Sequence, residues 1–109
     1  MKKHINIYME GHLKNGDFNW YSQIGAYKYN INAIYKNGDS VHVDIEAEGD
    51  SQDLNNYVEY LQNGPLKKHI YLFRKEEGEF EGIIGFKSLK VHKDETSLFS
   101  RFTKLLSLF

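Results

Sequence analysis

The stretch DSQDLNNYVEYLQNGP, residues 50–65, leaves a folding chain little choice. Leu54, Tyr57, Val58 and Leu61 recur at helical spacing and form one apolar stripe between polar positions. Asp50 or Ser51 can cap the N-terminus, and Asp53 complements the positive end of the helix dipole. Gly64 is expected to end the helix in the left-handed conformation, and Pro65 forbids its continuation.

Strand patterns surround this helix. Ile5, Ile7 and Met9 alternate with His4, Asn6, Tyr8 and Glu10, which predicts a first strand with one apolar face. Residues 18–29 carry Phe18, Tyr21, Ile24 and Tyr27 or Lys28 at roughly helical spacing. Gly25 weakens that helix by up to about 1 kcal/mol relative to alanine. Asn30 is placed to end it with a positive φ. INAIYKNGDSVHVDIEAEG reads as a hairpin turning at Asn37-Gly38-Asp39, with Val41, Val43, Ile45 and Ala47 on its buried face. HIYLFRK and FEGIIGFKSLKV read as two further strands around a Glu-Glu-Gly-Glu turn. DETSLFSRFTKLLSLF then predicts an amphipathic helix carrying Leu98, Phe99, Phe102, Leu105, Leu106 and Phe109, capped by Asp94 or Thr96. The order β-α-β-β-α-β is that of a ferredoxin-like α+β sandwich: an antiparallel sheet with two helices on one face, plus a fifth strand and an extra C-terminal helix.

With 109 residues, one domain and one core are expected. We divide it as residues 1–92, the sandwich, and 93–109, the terminal helix. Strands four and five are apolar on both faces, so that helix is expected to cover the open sheet face of its own chain or a homodimer interface. A formal net charge of −1 without blocks of like charge argues against nucleic-acid and membrane partners. There is no cysteine, which excludes disulfides, thiolate metal sites and cysteine nucleophiles. MKKHINIYMEGH breaks its apolar run with Asn6 and Glu10, so it reads as a strand rather than a signal peptide, and a cytoplasmic protein is expected. Histidines 4, 12, 42, 69 and 92 show no ligand spacing on a helix. His42, Asp44, Glu46 and Glu48 form a comb expected to line a wet strand face rather than a metal site. Tyr8, Tyr35 and Tyr71 are expected as partly exposed strand aromatics rather than a stacking platform for bases.

EGDSQDLNNYVEYLQNGPLKKH resembles the acylphosphatase family: a glycine closes the third strand, an amphipathic helix follows, and Gly-Pro leads into the fourth strand at the same spacing. The resemblance covers about residues 4–89 and sets Gly11 on the glycine ending the family's first strand and Asn37 on its hairpin asparagine. It implies hydrolysis of the carboxyl–phosphate bond of acyl phosphates, without metal or cofactor. The family's first loop reads Gly-x-Val-Gln-Gly-Val-x-Phe-Arg; its amides and arginine hold phosphate, and the asparagine orients water. In GHLKNGDFN, residues 11–19, Gly11 and Phe18 match and Leu13 stands in for valine. Lys14, Asn15, Gly16 and Asp17 depart from the pattern, and Asn19 replaces the arginine. The only arginines in the chain are Arg74 and Arg101, and neither belongs to this loop.

Two readings of the loop follow. In one it is a plain strand-to-helix connection. In the other, residues 12–18 (His12, Leu13, Lys14, Asn15, Gly16, Asp17, Phe18) hold a small anion or acyl phosphate through backbone amides and the Lys14 charge, with Asn37 placing water. Asn37 also suits an Asn-Gly turn without any chemistry. Because Asn19 has neither charge nor fork, a divergent protein with weak or no hydrolysis is expected, and an active acylphosphatase is the alternative.

Overall fold

The computed structural model describes residues 1–13, 17–37 and 41–90. Among these, five strands form one sheet: β1 Lys2–Gly11, β2 Asn32–Asn37, β3 His42–Asp50, β4 Ile70–Gly78 and β5 Phe86–Lys90. The helices are α1 Asp17–Lys28 and α2 Ser51–Asn63, and a 3₁₀ turn, Lys67–His69, leads into β4. The strand order is β4-β1-β3-β2-β5, with β2 and β5 parallel and the other pairs antiparallel. This is a ferredoxin-like α+β fold in which the fifth strand makes the sheet mixed. The expected Gly38-Asp39 turn and C-terminal helix lie outside the described residues.

Alternation sorts the sheet into two faces. Ile5, Ile7, Met9, Ala33, Tyr35, Val43, Ile45 and Ala47 turn inward and meet Leu54, Tyr57, Val58 and Leu61 of α2. The α2 stripe matches its periodicity at every position. Val41 falls just before β3 and is exposed. Tyr35 corrects the expectation of a partly exposed aromatic: it is wholly buried, and burial pushes its phenol far up.

The two helices meet through tyrosines. Tyr57 donates its hydroxyl to the Ser22 carbonyl at 3.0 Å, and Tyr60 donates to that of Tyr21 at 2.8 Å. Tyr21 in turn donates to the Tyr60 carbonyl at 2.6 Å, its ring stacked on that of Tyr60. The face α1 buries is therefore Phe18, Ser22, Gly25 and Ala26. The expected stripe through Ile24 and Tyr27 fails: these are 44% and 91% exposed. Small residues win because the α2 tyrosines need the room. A Cβ on Gly25 would sit 2.2 Å from the Tyr60 ring.

Helix ends partly follow expectation. Asn30 has φ 60°, as predicted. Asp50 occupies the N-cap position with extended backbone, but its side chain makes no capping bond and instead lies 3.5 Å from the N-terminal ammonium. Gly64 is extended at φ −83°, ψ −167°, not left-handed. Crowding explains its identity, since a Cβ there would lie 2.0 Å from the Tyr21 hydroxyl.

The passage from β4 to β5 differs most from the sequence reading. Glu76, Glu77 and Gly78 extend β4, and residues 79–85 cross to the far edge of the sheet as irregular chain. Their amides need acceptors, and β3 supplies a carboxylate. Glu48 accepts from the Glu81 and Ile83 N–H groups at 2.6 and 2.7 Å, while Asn32 Oδ1 accepts from Gly85 at 2.9 Å. Glu48 is consequently 1% exposed, which corrects its placement on a wet face.

Candidate functional site

Gly11 ends β1 at a register shift after Glu10, where the chain passes the 3₁₀ turn closely. A Cβ on Gly11 would lie 2.0 Å from the His69 carbonyl, so only glycine fits. Gly11 N–H donates to Val41 O and His12 N–H to His69 O, at 2.9 and 2.8 Å. These bonds fix where the loop leaves the sheet, and they remove the His12 amide from any anion cradle. The exposed His12 side chain hydrogen-bonds the Tyr71 hydroxyl instead.

Leu13 and Phe18 anchor the two ends of the loop in the core, each 2% exposed. Lys14, Asn15 and Gly16 between them lie outside the described residues. Asp17 opens α1 and is exposed, so its carboxylate occupies the positive end of the helix. Asn19 lies in the first turn and reaches β5. Its Nδ2 donates to Ser88 Oγ at 3.0 Å, and the Ser88 hydroxyl lies 3.1 Å from Asn19 Oδ1.

Asn37 ends β2 two residues beyond the buried Tyr35, on the helix-facing side of the sheet. Tyr35 pairs with Ser88 and Asn37 with Lys90, so one end of the β2–β5 ladder brings Asn19, Ser88 and Asn37 to the same region. Asn37 Oδ1 is buried and has no hydrogen-bond partner among the described residues. A buried acceptor in that state calls for a donor from outside the described residues.

Neither Arg74 nor Lys36 serves this site. Arg74 stacks 4.8 Å from the Tyr8 ring, on the face opposite the helices, and Lys36 pairs with Glu46 on that same face. Arg101 lies outside the described residues.

No family model matches the chain. An acylphosphatase from Listeria monocytogenes is 28% identical over 68 residues, covering 59% of this chain and 73% of that protein. The crystal structure of the Bacillus subtilis acylphosphatase superposes with a TM-score of 0.70 at 28% identity, covering 82% of this chain and 98% of the other. The chain is acylphosphatase-like. An acylphosphatase structure from Coxiella burnetii, 20% identical, shares the fold with a TM-score of 0.72 over 80% of this chain and 92% of its own.

Within this acylphosphatase-like chain, the sequence singles out Asn19 and Asn37 as candidates but not Ser88, the partner of Asn19. Nothing in FKSLK marks one serine of an edge strand as the partner of a helix residue 69 positions away. That pairing depends on β5 lying parallel beside β2, which alternation alone does not reveal.

Proposed function

We propose that this is a divergent acylphosphatase-like protein with weak or no hydrolysis of acyl phosphates, keeping a residual anion-binding loop. The observation that carries this reading is the pairing of Asn19 with Ser88. The position that resembles the family's arginine holds an uncharged amide, and that amide already has a partner. Loss of a preorganised donor costs about 10²–10³-fold in rate, and loss of its positive charge adds to that. Asp17 would also repel a phosphate held beside it. Residual anion binding would rest on the loop amides and the charge of Lys14.

Asn37 Oδ1, buried and unpartnered among the described residues, favours a second reading, an active acylphosphatase in which Asn37 orients water and Lys14 replaces the missing cation. Hydrolysis of acetyl phosphate by the wild type and Asn19→Arg separates the two. The divergent reading predicts negligible turnover in the wild type and a gain of about 10²-fold in the variant. Efficient wild-type turnover inhibited by inorganic phosphate would establish the second reading instead. Residual binding is tested separately, by following loop amide resonances as inorganic phosphate is added.

A further inference from the structure

Behind the sheet, on the face away from the helices, a buried imidazole meets two carboxylates. His4 is 3% exposed, and its Nδ1 lies 2.6 Å from Glu48 Oε2. Glu48 must accept there, because its oxygens also receive the Glu81 and Ile83 amides. His4 Nδ1 therefore carries a proton, and Nε2 faces the other way with its orientation fixed. That nitrogen lies 2.9 Å from Asn6 Oδ1 and 3.7 Å from Glu46 Oε1. One ligating atom each from His4, Glu46 and Glu81 fall within 4.8 Å of one another.

We infer that His4 Nε2, Glu46 and Glu81 form a binding site for a divalent cation of the Mn2+ class, with Asn6 Oδ1 as a fourth donor. Acceptors converging on one point favour a cation between them, and Lys36 reaches only Glu46. The oxygen-rich set with one imidazole suits Mn2+ among divalent metals. Donor atoms sharing a six-coordinate cation lie about 3 Å apart, so the short Asn6–His4 approach is compatible with ligation. Glu48 takes the position of the carboxylate that orients a metal-binding histidine through its far nitrogen. It also positions the third ligand, since the Glu81 amide it accepts belongs to a ligand residue. Ions can enter through the open trough of ≈ 620 Å³ along this face, whose lining includes Asn6 and Glu46. A bound ion would clip the 79–85 segment to β1 and β3, the role of a structural site.

The competing occupant is a proton on Nε2, which would donate to Asn6 and need no metal. Electron paramagnetic resonance of added Mn2+ distinguishes them, because the free ion's six-line signal falls on binding. The site predicts saturable uptake of one Mn2+ per chain. Binding should weaken about tenfold or more in Glu81→Gln and in Glu46→Gln, and stay unchanged in His42→Ala. Glu81→Gln removes an exposed carboxylate and keeps its backbone amide, so its fold is not at risk. Absence of uptake at millimolar Mn2+, or equal uptake in the wild type and Glu81→Gln, would overturn the inference and leave the proton as occupant.

Discussion

Gly25 and Asn19 show how single side chains decide what this chain can do. In isolation Gly25 looks like a weak point in a helix, costing about 1 kcal/mol against alanine. In the fold it is where Tyr60 packs, with ring atoms 2.2 and 2.5 Å from a hypothetical Cβ. Displacing that ring would disturb its bond to Tyr21 and its stacking, and overpacking typically costs about 1–3 kcal/mol. Gly25→Ala is therefore expected to be destabilised, despite its better helix propensity, as a lower urea midpoint with unchanged slope. A raised midpoint would mean that the rings yield freely. Asn19 is the converse case. Its substitution was legible in the sequence, whereas its commitment to Ser88 was not, because a hydrogen bond across 69 residues leaves no local trace.

Elements were legible where a single period governs them. β1, β3 and α2 bury the residues that alternation or the helical stripe selects, because large apolar groups carry the signal. α1 escapes that period because its buried face is mostly small, and small residues carry little hydrophobic weight however close the contact. The 79–85 segment departs from its pattern for another reason: Glu48, polar in the strand alternation, serves as an acceptor for backbone instead of facing water. Glu48→Gln tests that role. It removes the charge while keeping the shape, and presents an NH2 group to donors. Breaking a buried pair of this kind is expected to cost about 3 kcal/mol. Faster hydrogen exchange at the Glu81 and Ile83 amides should accompany the loss. Unchanged exchange there would show that the segment holds itself in place.

For the molecule as a whole, the His4–Glu48 pair sets a pH window. Burial alone would lower the His4 pKa, but the hydrogen bonds to Glu48 and Asn6 and the charges of Glu48 and Glu81 leave it raised above 6.5. Burial would likewise raise Glu48, yet bonds from His4 and the Glu81 and Ile83 amides hold it below 4.5. The His4 contribution is complete below pH 6.5 and is lost as pH rises through its raised pKa. The Glu48 contribution is complete above pH 4.5 and is lost as pH falls through its lowered pKa. Chelator-treated protein should therefore melt highest between these limits, and His4→Gln should flatten the alkaline limb of the melting-temperature profile. An identical alkaline limb in that variant would remove His4 from the account. The sheet's connectivity carries a kinetic consequence as well. β5 joins β2 only after the chain has crossed from the opposite edge, closing a span of 53 residues between Asn32 and Gly85. Long closures of this sort form late in folding, and short edge strands open early. Ser88 rides on that strand, so Asn19 would lose its partner in brief openings that leave the core intact, and the candidate site would be remade many times within the life of one folded molecule.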